Sequence, residues 1–441
     1  MRRPSFRKCK ARIFSAVFSR SSTMAPYTIL AAALLGLATA QTPGTAKEVH
    51  PKLTTWKCTK AGGCKSQNTA LVLDSATHWI HQANDTTKGC GNWGSAADPI
   101  ACPDEATCAK NCIIEGISNY ADYGVSTTGG SVRMDMYNPK GGLASPRIYL
   151  LAEDEKKYEM LQLNGHELAF DVDVSKLPCG MNGALYLSEM EADGGRSTLN
   201  PEGASLGSGY CDAQCFVTPF VNGVGNIAGQ GVCCNEMDVW EANSRATQTA
   251  PHTCSKDGLF RCTGDECGKA GLCDKNGCAD NPYRQRAAKD FYGPSLKVDT
   301  SKPFTVVTQF PAKDGVLQAI VRKYVQNGVV IENAARNITM DQAYCSAQSG
   351  AEMYSKLGGH KGMGDALGRG MVLAMSIWWD DSGFMNWLDA EGAGPCNATE
   401  GDPKVVTTIE KAPVVTFSQI KWGEIGSTFA EHNQTKHHWQ A

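Results

Sequence analysis

Apolar and polar positions alternate with a period of two in several stretches of this chain. Leu168, Phe170, Val172 and Val174 are interleaved with Ala169, Asp171 and Asp173, and residues 303–310, "PFTVVTQF", repeat the habit. Side chains two apart on an extended strand face the same way, so each stretch predicts a strand with one buried face. In "VRKYVQNGVVI" (321–331), Asn327-Gly328 stands between two β-branched runs and predicts a tight hairpin. Helical periodicity is scarce and is clearest in short stretches near 339–357 and 362–368. Cysteines cluster where periodicity fails, at 90–112 and 254–278, and 46 glycines are spread along the chain. These signals predict an all-β fold, an antiparallel sandwich whose long loops are held by disulfides.

The first 40 residues differ from the rest. They carry seven basic side chains and no acidic one, and end in an apolar run, "ILAAALLGLATA", with small residues at Ala38 and Ala40. This reads as a secretory signal peptide cleaved before Gln41, with Met24 as an alternative start. The run of about fourteen apolar residues is shorter than the ~20 a membrane-spanning helix needs. Removing the seven leader charges from 42 leaves 35 basic residues against 45 acidic ones, a net of about −10. That balance argues against nucleic acid as a partner. No linker, repeat or composition break divides what remains, so residues 41–428 are expected to be one catalytic domain, followed by a polar tail at 429–441.

Of 19 cysteines only Cys9 lies in the leader, which leaves 18 for up to nine disulfides of undetermined pairing. Cys108/Cys112 and Cys211/Cys215 have spacings that could be imagined for a metal. No histidine set at zinc spacing accompanies them, so neither a metal nor a cofactor is expected. Sequons at Asn84, Asn337, Asn397 and Asn433 agree with export.

Candidate chemistry lies in "GVCCNEMDVWEAN" (231–243), where Glu236, Asp238 and Glu241 follow Cys233-Cys234. On a strand Glu236 and Asp238 share a face, but Glu241, five residues on, would point the other way. A bulge between Asp238 and Glu241 would bring it back. The glutamate backbones would stand roughly 16 Å apart on a straight strand, and a bend would narrow that distance. Two carboxyls about 5–5.5 Å apart suit a retaining glycosidase, one as nucleophile and one as acid/base. An acidic solvated edge would look similar by spacing alone. The surrounding Met237, Val239 and Trp240 argue for a buried setting, and crowded acids tend to keep one protonated.

"CCNEMDVWEAN" resembles the active-site strand of the family 7 glycoside hydrolases, fungal enzymes that cut β-1,4-glucan with retention on a concanavalin-like β-jelly-roll sandwich. The resemblance is collinear, running through "HPKLTTWKCTKAGGC", "CPDEATCAKNC", "DVDVSKLPCGMNGALY", "GSGYCDAQC", "NPYR" and "WGEIGST". It implies Glu236 as nucleophile, Glu241 as acid/base, Asp238 as the neighbour that tunes the nucleophile, and His252 near the leaving-group side. Tyr210, Asp212 and Gln214, expected to alternate on a strand, match residues lining the adjacent sugar sites. Asn182, Tyr186, Arg147 and Arg284 match other cleft residues. Trp378 and Trp387 match sugar-stacking platforms, whereas Trp379 is read as core.

Family members with long loops form tunnels and act from chain ends, while shorter loops leave an open cleft. Here only "GKAGL" separates Cys267 from Cys273, "LDAEGAGPC" runs directly from Trp387 to Cys396, and Thr77 stands where exo-acting relatives have a tryptophan, although Trp79 is kept. The resemblance therefore implies a secreted, monomeric endo-β-1,4-glucanase without a cellulose-binding module. A cellobiohydrolase is the alternative, and an inactive glucan-binding lectin a more remote one. "GCADNPYR" departs from the commoner Asp-Trp pair and places Ala279 and Asp280 on the product side. "GASLG" (203–207) fits a G-x-S-x-G pattern around Ser205, but the strand and helix that a nucleophile elbow requires are not predicted on either side.

Overall fold

The computed structural model describes residues 41–334 and 339–429. The leader, the Met24 alternative, the sequons at Asn337 and Asn433, and all of the tail except Phe429 lie outside the described residues.

Twelve strands form one hydrogen-bonded series: β1 Lys52–Thr59, β2 Gly63–Leu73, β3 Arg147–Leu151, β4 His166–Lys176, β5 Met181–Ser188, β6 Glu236–Ala242, β7 Thr247–His252, β8 Phe304–Gln309, β9 Ala319–Gln326, β10 Val329–Glu332, β11 Met371–Trp379 and β12 Val414–Glu424. Their spatial order is β7-β6-β5-β11-β3-β2-β1-β12-β4-β8-β9-β10. Neighbours are antiparallel except β1 and β12, which pair in parallel. Chain order and spatial order differ at five of the eleven steps, as the long crossovers of a jelly roll require.

The series folds back on itself. Trp240 of β6 lies edge-on to Phe170 of β4, Phe304 of β8 and Tyr324 of β9, with ring centroids 6.1, 5.9 and 6.5 Å away. Strands from opposite ends of the series therefore face each other across a shared core. Each such aromatic pair adds about 0.5–1.5 kcal/mol beyond its area burial. Leu168, Phe170, Val172 and Val174 all point into this core, as their alternation predicts, while Asp171 faces outward and accepts a hydrogen bond from Thr305.

The β9–β10 hairpin turns at Asn327 and Gly328, both at positive φ (53° and 74°), which is the two-residue turn expected from that pair. The helical stretch expected at 339–357 is broken into α1 Gln342–Ala347 and α2 Glu352–Lys356, and α3 spans Gly359–Arg369. Asp341 caps α1 by accepting from the Tyr344 amide. Gly350, at φ 92°, lies in the break before α2. Trp379 packs edge-on to Tyr137 against the core, as expected.

On its other face the half containing β7 to β2 carries a second apolar layer, with Val72, Tyr149, Ala184, Tyr186 and Ala374 lying beneath the loops. These loops are stapled. All 18 cysteines beyond the leader pair: Cys58–Cys64, Cys90–Cys112, Cys102–Cys108, Cys179–Cys396, Cys211–Cys234, Cys215–Cys233, Cys254–Cys273, Cys262–Cys267 and Cys278–Cys345. Cys108, Cys112, Cys211 and Cys215 thus enter disulfides.

Cys179–Cys396 joins residues 217 apart and has the longest span of the nine. Replacing both cysteines by serine is expected to cost about 2–5 kcal/mol in denaturant unfolding. An unchanged midpoint would show that the loop is held by its other contacts.

Candidate active site

Strand β6 holds one residue more than either neighbour. Against β7, Asp238 pairs with Ala250 and Glu241 with Gln248, so Val239 and Trp240 together oppose Thr249. Against β5, Met237 pairs with Leu187 and Trp240 with Leu185, the same excess of one. This is the bulge that the odd Glu236–Glu241 offset demands. Val239 and Trp240 consequently both enter the core, and Glu236, Asp238 and Glu241 emerge on the outer face. The three acids are 7–8% exposed.

Each acid is held by named donors. The Ala213 amide donates to Glu236 Oε2 at 3.0 Å. That amide belongs to the 210–215 segment, which Cys211–Cys234 and Cys215–Cys233 clamp to the residues just before β6. The adjacent cysteines thus hold a loop against the acids. Glu241 accepts from Asn182 Nδ2 at 3.0 Å and from Gln248 Nε2 at 3.1 Å. Asn182 also accepts from the Ala242 amide, so one side chain grips both the strand and its carboxylate.

His252 fixes Asp238. Its Nε2 lies 2.9 Å from Asp238 Oδ2, and its Nδ1 faces the Asp274 carbonyl oxygen at 2.9 Å. A carbonyl oxygen only accepts, so Nδ1 carries a proton, and the carboxylate favours a second proton on Nε2. Burial opposes the charge, but Asp238 prevails and pushes the imidazole up to about 10. Gly277, at φ 71°, presses on this ring: a Cβ there would lie 2.7 Å from His252 Cε1.

Desolvation dominates the acids. Burial, then repulsion from Asp238, raises Glu241 to about 8, against the pull of His252 and the two amides. Glu236 is also raised, by burial and by the charges of Asp238 and Asp212, while His252 and the Ala213 amide act in the opposite direction. Asp212 is raised by burial although it accepts from the Gln214 and Cys215 amides.

The residues expected around the acids are only partly gathered there. Tyr210, Asp212 and Gln214 lie on a disulfide-tied turn and not on a strand, because Asp212 caps the turn and Cys215 adopts φ 57°. Gln214 is spent on the Lys275 carbonyl. The Tyr186 and Tyr210 hydroxyls meet at 3.1 Å. Arg147 is committed to Asp74 at 2.5 and 2.8 Å, and its guanidinium stacks 3.5 Å from the Tyr210 ring centroid and 4.9 Å from Trp93. Trp378 pairs in register with Asn182, and its ring lies 6.4 Å from Trp387, so these two rings form one platform beside Glu241. Arg284 is exposed on the turn after Asn281 and joins no contact of the acidic cluster. Asp280 is buried against Arg286, which donates to both its oxygens, so its carboxylate is not offered to a product sugar. Ser205 sits in a short 3₁₀ turn and donates to the Glu202 carbonyl, unlike a nucleophile elbow. Asn84 and Asn397 are exposed.

Gln248, the Ala213 amide, the Asp274 carbonyl and Gly277 were not read from the sequence. Only Gln248 left a residue-type signal, since pairing β6 with β7 through the 243–246 turn sets it opposite Glu241.

The profile of glycosyl hydrolase family 7 matches residues 43–429. The chain belongs to glycosyl hydrolase family 7. This family 7 hydrolase is 55% identical over 413 residues to endoglucanase EG-1 of Humicola insolens, covering 91% of this chain and 94% of that protein. It is 56% identical to endoglucanase type C of Fusarium oxysporum, covering 91% and 95%. The native structure of Humicola insolens endocellulase EGI superposes with a TM-score of 0.85 at 55% identity, over 88% of this chain and 100% of that one. A family 7 cellobiohydrolase from Daphnia pulex is more distant, at 36% identity and a TM-score of 0.79, over 88% and 100%.

Two outcomes are expected of this family 7 hydrolase. Gly277→Ala should displace the His252 ring and lower kcat by at least about tenfold with little change in KM, read by steady-state kinetics; unchanged kcat would show that the ring can yield. Folding raises Glu241 from 4.5 to about 8 and His252 from 6.5 to about 10. The folded state then holds these protons more tightly, so their stabilisation is full below the ordinary values and is lost as pH rises through the folded ones. Calorimetric Tm should fall between about pH 5 and 10, and Glu241→Gln should flatten the lower part of that fall; equal slopes in both proteins would contradict the assignment.

Proposed function

We propose that this chain is a secreted, monomeric endo-β-1,4-glucanase that hydrolyses internal bonds of cellulose and related glucans by double displacement. The observation that carries the reading is the β6 bulge, which delivers Glu236, Asp238 and Glu241 to one desolvated face. Glu236 attacks the anomeric carbon while Glu241 gives its proton to the departing glycosidic oxygen, leaving a glycosyl ester on Glu236. Glu241, now ionised, takes a proton from water, and the water oxygen displaces Glu236 with overall retention. The cycle therefore needs Glu236 ionised and Glu241 protonated at its start.

Asp238, paired with His252, disfavours a charge on Glu241 and helps it hold its proton. The Ala213 N–H and the imidazolium favour the charge on Glu236. Trp378 and Trp387 offer flat apolar rings for the C–H face of glucose beside Glu241. The short 268–272 segment and the direct run from Trp387 to Cys396 support an open cleft, as does the greater similarity to endoglucanases than to the cellobiohydrolase. Export is supported by the leader composition and by nine disulfides, which persist in oxidising surroundings.

On soluble carboxymethylcellulose, viscosity should fall steeply while few reducing ends have appeared, and Glu236→Gln should lower turnover by at least about 10⁴-fold while retaining oligosaccharide binding by calorimetry. Chain ends that accumulate at nearly constant viscosity would mean exo action. Substantial residual turnover would sink the nucleophile assignment, and binding with no turnover in the wild type would indicate a lectin.

A further inference from the structure

A bulge leaves main-chain groups without ladder partners. The carbonyl at the apex of this one, that of Val239, does not go unpaired. It accepts from Arg322 Nη2 and from Thr249 Oγ1 at 3.2 Å. The same Arg322 Nη2 donates to Thr249 Oγ1 at 2.5 Å, and Nε donates to Thr308 Oγ1 at 3.1 Å. The guanidinium carbon lies 5.6 Å from the Trp240 ring centroid and 5.9 Å from that of Tyr324. Arg322 reaches this place from β9, in the facing layer of the sandwich, and is 5% exposed.

A buried guanidinium is costly unless something specific requires it. Asp280, the acid whose charge reaches Arg322, is engaged bidentately by Arg286. Arg322 instead spends its donors on the bulge carbonyl and on hydroxyls of two strands, one of them the hydroxyl that faces the bulge from β7. Its planar fork spans these acceptors in a way that a lysine ammonium does not.

We propose that Arg322 is a positioning residue that locks the Val239–Trp240 bulge and thereby sets the reach of Glu241 to the glycosidic oxygen. The proposal rests on the retaining-glucanase reading given above. Without the guanidinium, the Val239 carbonyl keeps only the Thr249 hydroxyl, and β6 relaxes toward regular pairing, which rotates residues beyond the bulge away from the outer face. Glu236 and Asp238 precede the bulge and keep their places. The loss is thus confined to proton transfer by Glu241, as acid in the first step and as base in the second.

The test is leaving-group dependence in Arg322→Met and Arg322→Lys. A dinitrophenolate departs without protonation, whereas a phenolate needs the acid. For aryl cellobiosides, kcat/KM should fall about 10²-fold for the phenyl substrate and less than about threefold for the dinitrophenyl one. Azide, a nucleophile that needs no base, should restore kcat on the dinitrophenyl substrate. Active sites are counted by trapping Glu236 with 2,4-dinitrophenyl 2-deoxy-2-fluoro-cellobioside, so that misfolded protein is not scored as slow. Equal losses on both substrates per trapped site, or no loss on either, would overturn the proposal. Should both arginine variants fail to fold, Thr249→Val, which removes the other donor to the same carbonyl, must show the same selective loss in smaller degree, and a uniform loss or none would overturn it. Wild-type enzyme that neither releases phenol nor becomes labelled would overturn the retaining-glucanase reading itself.

Discussion

The site depends on one extra residue in a strand. A regular β6 has a repeat of two, and under that repeat no strand can present positions 236, 238 and 241 on one side. The bulge at Val239 and Trp240 breaks the repeat once, and both neighbouring strands register the excess. Two consequences come from the same break. Glu241 turns outward, and Trp240 turns inward to become the ring on which the two layers of the sandwich meet. Core packing and site geometry are therefore one event: the side chain that stabilises the sandwich is the one whose insertion aims the acid.

The second organising fact is the balance of charge in a dry place. Glu236, Asp238 and Glu241 gather about one imidazolium, His252, with Asp212 close enough to act on Glu236, and all four acids are buried. Water would screen such a group cheaply, but here screening comes from fixed dipoles: the Ala213 amide on Glu236, the side-chain amides of Asn182 and Gln248 on Glu241, and the Gln214 and Cys215 amides on Asp212. At Glu236 and Glu241 burial and mutual repulsion outweigh these donors, so both carboxyls hold protons more tightly than in water. A generous supply of donors would lower every acid and leave no proton to give.

Strands and their faces were legible because alternation is a direct trace of one-sided burial, and the bulge was legible because the odd offset of the acids is hard to reconcile with a regular strand. The 210–215 segment misled for the same reason: Tyr210, Asp212 and Gln214 alternate in sequence, but an Asp-capped turn between two disulfides overrides a periodicity only three residues deep. The Ala213 amide had no signature, since any residue but proline carries an N–H. Asp280 looked like a product-side acid until Arg286 was found against it. Arg322 did leave a trace, standing at an inward position between Ile320 and Tyr324 on β9, where a cation in an apolar register marks a polar demand elsewhere in the core.

The paired cysteines fasten more than the fold. The amide that steadies Glu236 sits on a loop whose place is secured by two cross-links at Cys233 and Cys234. The carboxylate on the strand and the donor that meets it are thus joined through sulfur rather than through the sheet, and the pairing of Glu236 with its amide is only as durable as the two bridges beside it.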